Sequence, residues 1–269
     1  MTPTSERAVL HLGGEDPGGF LQGLVSNDIS GLSGSGLAER RIVHAALLTP
    51  QGKYLSDFFV VAAPDGLWLD APAAQVADLL KRLTLYRMRK PVTIACADVT
   101  VCRGTGPAPD GALPDPRHPA MGWRLYAPGP DAPPVASDDG TDWDALRVAH
   151  TIPEAGVELI PEESFILECG FDRLHGVDFR KGCYVGQEVT ARMRHKTELR
   201  KGLVTVRIDG AAPVGTPITA GGKSIGTLYT QAGDKAIAWL RFDRAERAGG
   251  PLMAGAARVQ WEQPAAAEG

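Results

Sequence analysis

Between Ile42 and Val61 the chain is apolar in the manner of two adjacent strands, expected at 42–48 and 54–61. Thr49-Pro50-Gln51-Gly52-Lys53 separates them, and proline and glycine at those places suit a tight hairpin turn. A third strand is expected at Leu67-Trp68-Leu69, after the turn residues Pro64-Asp65-Gly66. Ahead of these strands, Phe20 to Ile29 reads as a short helix that stops in the polar turn Ser26-Asn27-Asp28. After them, Val76, Leu79, Leu80 and Leu83 form an apolar stripe at helical spacing. The stripe predicts a helix over 71–85, with Pro72 in its first turn and Arg87, Arg89 and Lys90 at its cation-favouring end. Val92, Ile94 and Cys96 alternate in a strand over 91–101, and Trp123 to Tyr126 forms another. The Pro- and Gly-rich stretches 103–119 and 127–140 read as loop, the second as a linker. Asp142 to His150 predicts a short helix with Leu146 and Ala149 turned inward.

From Leu203 the pattern changes. Short runs at 203–208, 215–219, 224–230, 235–241 and 256–261 are punctuated by glycine, proline and aspartate, which is the pattern of a small all-β barrel. The expected fold class is therefore α+β. A body of mixed sheets and packed helices covers 1–199, and a C-terminal β-barrel covers 200–269. A further division of the body, 1–45 with 141–199 and 46–140, fits the same pattern.

Composition narrows the class. With 43% hydrophobic and 22% charged residues and a net charge of −4, the 269-residue chain has no global basic field for nucleic acid. No apolar run approaches the ~20 residues that span a bilayer, so no membrane is expected among its partners. Residues 1–12 show neither a signal region nor an Arg-rich presequence, and a cytoplasmic location is expected by default. Cys96, Cys102, Cys169 and Cys183 form no Cys-x-x-Cys pair and have no histidine at zinc-ligand spacing, so no resident metal ligands are expected. Cys96 and Cys102 fall in an apolar strand pattern, as core or edge residues.

Two places carry candidate chemistry. In Lys181-Gly182-Cys183-Tyr184-Val185-Gly186-Gln187-Glu188 a cysteine stands between glycines, just after Arg180 and Lys181. Val185, Val189 and Met193 recur at a spacing of four, so a helix is expected to begin near Gly186 with Cys183 at its mouth. Cationic neighbours and a helix N-terminus favour a thiolate, whereas a lone cysteine at a turn is also commonly a small buried residue. The second place is Asp57. By alternation it shares a strand face with Leu55 and Phe59, where a carboxylate needs a donor, a cation or a ligand. The run from Arg180 to Lys201 is basic, which suits an anion such as the glutamate tail of a folate or an acidic partner protein. It lacks interleaved aromatics and any RNA-binding motif, which argues against nucleic acid.

Taken whole, Lys181 to Glu188 followed by Val189-Thr190-Ala191-Arg192 resembles the signature of the YgfZ type of folate-binding protein. That type is a branch of the aminomethyltransferase-like superfamily serving iron–sulfur cluster assembly. Phe20-Leu21-Gln22-Gly23 with Asn27-Asp28 resembles the family's N-terminal motif, with Ser26 where threonine is usual. Arg147 occupies the place of a motif that begins with arginine, but Ala149 stands where true aminomethyltransferases have glutamate and Thr151 where glycine is usual.

The resemblance implies a folate-binding aminomethyltransferase-like body followed by a barrel. It implies tetrahydrofolate or a one-carbon derivative as cofactor, with Asp57 against its reactive nitrogens. Asn27, Tyr184, Gln187, Glu188 and Arg192 are the further cofactor-binding candidates. Cys183 is the implied working thiol, as a transient iron–sulfur cluster ligand or a redox or nucleophilic group. Partners would be iron–sulfur assembly or client proteins, and the chain an assembly factor rather than a conventional enzyme. The alternatives are a folate-dependent aminomethyltransferase or other one-carbon enzyme, which Ala149 argues against, and a thiol enzyme pairing Cys183 with His175 or His195.

Overall fold

The computed structural model describes residues 7–32, 42–129, 140–195 and 199–261. The chain divides into two compact units. One comprises Met1–Thr141, Ile160–Ile166 and Phe171–Met193, the other Asp142–Leu159, Leu167–Gly170 and Arg194–Gly269.

The first unit opens with β1 (Arg7–Gly14) and α1 (Pro17–Gln22), which Asp16 caps by accepting from Gly19 N at 2.7 Å. Then come β2 (Ile42–Leu48), β3 (Tyr54–Ala63), β4 (Gly66–Pro72), α2 (Ala73–Arg87) and β5 (Val92–Ala97). The strands form an antiparallel sheet in the order β2-β3-β4-β1-β5. One face is covered by α1 and α2, with Phe20, Leu21, Val76, Leu79 and Leu83 buried against Leu10, Val43, Phe58, Val60 and Leu69. Each such side chain contributes about 1.5–3 kcal/mol when fully buried. The helical stripe read from the sequence is thus the face that packs, with Leu80 only partly buried.

The strand expected over 91–101 is two strands. β5 pairs with β1, whereas β6 (Val99–Gly104) pairs with β8 (Trp123–Pro128) in a second sheet of order β6-β8-β7, where β7 is Leu113–Pro114. The chain changes sheets at Asp98, whose carbonyl accepts from Gly129 N at 2.9 Å, and alternation alone cannot register a change of partner. Cys96 accordingly lies exposed on the edge strand β5, and Cys102 is buried on β6.

The other face of the large sheet meets β7 and β8 through Ile42, Phe59, Val61 and Leu113, with Trp68 and Tyr126 beside them. An ionic network completes the contact. Asp70 accepts from Arg7 Nε at 2.6 Å, Arg124 Nη1 at 3.0 Å and Tyr126 OH at 2.9 Å. Asp115 accepts from Arg124 Nε at 3.1 Å and Arg117 Nη2 at 2.8 Å. The Arg124 guanidinium lies 3.8 Å from the Phe59 ring centroid, a cation–π contact in a desolvated site.

The second unit begins with α3 (Trp143–His150), capped by Asp142. It buries Arg147 and Val148, while Ala149 is exposed and Leu146 only half-buried, contrary to the expected inward pair. The reason is electrostatic. Arg147 Nη2 reaches Glu158 Oε2 at 2.5 Å and Nη1 reaches Asp144 at 2.9 Å, so the helix turns an arginine inward onto buried acid. Thr151 ends α3 in the left-handed region at φ 49°, a conformation that glycine adopts without cost. α4 (Gln187–His195) follows later in the chain and ends where the second unit resumes.

β9 (Lys201–Asp209), β10 (Pro217–Ala220), β11 (Lys223–Ala232), β12 (Lys235–Arg241), α5 (Phe242–Glu246), β13 (Leu252–Ala254) and β14 (Ala257–Gln260) complete the unit. The strands close into a barrel of order β10-β11-β12-β9-β14-β13 around Val206, Ile208, Ile218, Leu228, Ala238 and Leu240. The short strand β13 and the helix α5 escaped the sequence pattern, being too brief to show a period. The linker expected over 127–140 and the basic run through Lys196 fall partly outside the described residues.

Candidate functional site

Residues 171–193 of the first unit are tied to the large sheet and its loops at three places. At the first, Ser26 Oγ donates to Gly176 O at 2.6 Å and accepts from Ala46 N at 2.9 Å. Asn27 Nδ2 donates to His44 O at 2.8 Å and His175 O at 2.7 Å, so both amide hydrogens of this candidate residue are spent inside the protein. At the second, Lys181 Nζ donates to the carbonyls of Gln22 at 2.7 Å, Val25 at 2.5 Å and Asn27 at 3.0 Å. Burial pushes this ammonium down to about 8, against the raising influence of Asp28 and Asp178. At the third, the backbone of Gly186 (φ +83°) meets the hairpin turn so closely that a Cβ would lie 2.6 Å from Thr49 O. Gly52 (φ +74°) in that turn packs in the same way against Val189 of α4.

Between the second and third ties, Gly182 and Cys183 are exposed and Tyr184 is buried, its ring 5.1 Å from Lys181 Nζ. The helix begins at Gln187, as the spacing predicted, and Cys183 lies on the loop that leads into it. One expectation changes. Lys181 is not a free cation beside the thiol, because its head is plugged into three carbonyls of the segment from Gln22 to Asn27. Lys181→Met should therefore leave three carbonyls without this donor and cost about 2–3 kcal/mol. Urea unfolding reads the loss, and amide exchange at 182–184 should quicken if the lysine anchors the loop.

Asp57 sits elsewhere in the same unit, on the sheet face opposite α1 and α2. A register shift between Leu47 and Leu48 breaks the alternation of the hairpin. Leu55 thereby packs with Phe58 and Val60 on the helix-covered face, so that of its two expected face-mates Asp57 keeps Phe59 and loses Leu55. Its neighbours are polar and aromatic instead. Asp57 Oδ2 lies 3.1 Å from His44 Nε2, and Oδ1 accepts from Tyr54 OH at 2.8 Å. The His44 ring lies against Phe171, with centroids 4.9 Å apart, and against Phe59 at 5.5 Å.

Burial alone would raise the Asp57 carboxyl. The hydrogen bond and charge of His44, the charge of Arg7 and the Tyr54 hydroxyl outweigh it and hold the group below the usual carboxylate range. An ionised carboxylate offers about four acceptor positions, of which two are used here. With 11% of its side chain still exposed, Asp57 can accept from a donor group of a ligand. Gln187, half-buried, opens α4, and Glu188 and Arg192 pair with each other on its exposed side.

The chain resembles known proteins along most of its length. Residues 200–268 match the family described as CAF17, C-terminal beta-barrel domain. The iron–sulfur cluster assembly factor IBA57, mitochondrial, of Mus musculus is 30% identical, over 91% of this chain and 78% of its own length. The Homo sapiens protein of the same name matches equally, 30% identical over the same shares. The chain belongs to the IBA57 family. The IBA57 homolog of Mycosarcoma maydis is 33% identical over 76% of this chain, which spans 56% of that longer relative. In fold, this IBA57-family chain is similar to the glycine cleavage system aminomethyltransferase T from Bartonella henselae, with a TM-score of 0.70 over 97% of this chain and 84% of that one at 12% identity. The aminomethyltransferase-like body and the C-terminal barrel are thus the fold. The cytoplasmic expectation is overturned, since all three named IBA57 relatives are called mitochondrial.

Sequence reading missed three residues of the site in this IBA57-family chain: His44, Tyr54 and Lys181 in its anchoring role. His44 had a signal, being the one polar residue in the apolar strand Ile42–Leu48, across the hairpin from the strand that carries Asp57. Tyr54 had none, because its hydroxyl reaches Asp57 only through the shifted register.

Proposed function

We propose that this chain serves the maturation or repair of iron–sulfur proteins, with Cys183 as its working thiol and a reduced folate held on the Asp57 side. The observation that carries the reading is the presentation of Cys183. It is exposed, on a short loop pinned on one side by Lys181 and on the other by the Gly186–Thr49 backbone contact. A thiol fixed in this way can meet a partner's cargo without reordering of the loop. A single thiolate supplies one of the several ligands a cluster needs, so the remainder come from the assembly or client protein that carries it. The IBA57 names of the relatives support the same role.

Tetrahydrofolate or a one-carbon derivative, when bound, supplies nitrogens able to carry a one-carbon unit. Asp57 accepts from its N–H groups, while Asn27 positions the loop at His175 rather than touching the ligand. Tyr184 follows the thiol directly and Gln187 opens the helix behind it, so these two are the candidates to meet a ligand that reaches Cys183, with Glu188 and Arg192 at the rim. The YgfZ resemblance of the cysteine motif supports this assignment.

The test is complementation. In cells lacking their own IBA57 protein, the chain targeted to mitochondria should restore the activity of [4Fe–4S] enzymes. Full expression without any recovery would reject the maturation role.

A further inference from the structure

We propose that His44 is the positioning residue of the Asp57 site: together with Tyr54 it fixes the carboxylate as an acceptor, so that the bound ligand group must present a hydrogen-bond donor to it. The inference rests on the reading that a reduced folate binds there, and it adds the residue that makes Asp57 fit for the purpose.

The geometry leaves little freedom. His44 is buried on β2, and its Nε2 faces Asp57 Oδ2 at 3.1 Å. An ionised carboxylate only accepts, so Nε2 carries the proton and donates. The ring cannot swing away. Phe171 and Phe59 lie against it, and a Cβ on Gly176 would come within 2.9 Å of its Nδ1, which itself lies 3.5 Å from Leu174 O. The second oxygen of Asp57 is held from β3 by Tyr54, whose hydroxyl also lies 3.2 Å from Gln75 Oε1 on α2. Ser56 Oγ donates to the same Gln75 oxygen at 2.8 Å, which fixes that amide in turn. Arg7 on β1 adds a positive charge felt at Asp57. The carboxylate is thus gripped by one donor on each oxygen. What remains free on it is acceptor capacity, and a protonated, donating Asp57 would compete with both grips.

The role separates from a merely structural one through pH. Without the His44 donor, burial dominates at Asp57 and its carboxyl rises. The acceptor is then lost to protonation as pH falls, and ligand binding with it. In the wild type the carboxyl is held low, so binding should stay flat on the acid side. The groups that bear on this limb are His44, Tyr54 and Arg7, with Gln75 and Ser56 behind Tyr54.

The experiment is calorimetric titration with tetrahydrofolate across pH 5.5–8, on the full chain with His44→Gln and His44→Leu, all three shown folded by circular dichroism. A carbon-13 titration of the Asp57 carboxyl accompanies it without ligand. Glutamine supplies an N–H to Oδ2, so His44→Gln should bind within about threefold of wild type, whereas His44→Leu should bind about tenfold more weakly at pH 6. Its Asp57 titration should move upward. Equal affinity and an equal acid limb in His44→Leu overturn the inference while leaving folate binding in place. If the wild type itself binds no tetrahydrofolate, the folate reading fails, and an unmoved Asp57 titration in His44→Leu then overturns the positioning role independently.

Discussion

Replacing Cys183 by alanine should abolish the support of [4Fe–4S] enzymes in the complementation assay, to the level of cells without the protein, while thermal stability stays within about 0.5 kcal/mol of wild type. The two halves of this expectation come from the same observation. Cys183 is exposed, makes no disulfide and lies on a loop held by its neighbours Lys181 and Gly186 rather than by the thiol itself. Deleting Sγ removes no packing worth a measurable loss, so any functional loss belongs to the chemistry of sulfur. Cys102 and Cys169 are the internal controls. Both are buried, and their alanine variants should lower stability slightly and leave client-enzyme activity in place. Retained support by Cys183→Ala would remove the thiol from the account.

The largest loss of stability should come from Asp70→Asn. Asp70 is completely buried and joins Arg7 on β1 to Arg124 and Tyr126 on β8. Two guanidinium groups lose their shared anion in the variant, and breaking a buried pair from one side costs about 3–5 kcal/mol. Urea denaturation should register that loss, with the melting point falling by roughly 10 °C. Asp78→Asn makes the contrast. Its partner Arg82 is on the surface of α2, and exposed pairs are worth about 0–1 kcal/mol.

The network should also resist acid. Burial would raise the Asp115 carboxyl, but Arg117 and Arg124 pull it well below the usual carboxylate range. A carboxylate depressed in the folded state contributes stability that is present above its unfolded value, near 4, and is lost only as pH falls toward its own lower one. Between pH 7 and about pH 5 the contribution of Asp115 should therefore be constant. Equal urea midpoints for Asp70→Asn and Asp78→Asn would mean that the sheets are held by Phe59 and its apolar neighbours alone.

What could be read from the sequence was periodic or spelled in a motif. The hairpin over 42–61 was legible because its strands are buried on both faces and read as near-continuous apolar runs, and the stripe through Val76, Leu79 and Leu83 because one face of α2 packs on the sheet. The barrel was legible from its evenly spaced runs. The break at Asp98, the shifted register beside Leu48 and the inward turn of Arg147 were not, because each depends on a partner distant in the chain. At the site the pattern is the same. Cys183 and Asp57 were singled out as candidates through residue type and motif. The residues that hold them, Lys181 across 154 positions to Asn27 and His44 across the hairpin, are joined only by folding.

A reduced folate is proposed to bind at Asp57. Calorimetric titration of the purified chain with tetrahydrofolate, wild type beside Asp57→Asn, tests it directly. The wild type should bind saturably and Asp57→Asn about tenfold or more weakly, because the amide both loses the charge and offers a donor where the ligand offers one. Saturable binding of equal strength by both proteins, or none by a folded wild type, would contradict the proposal.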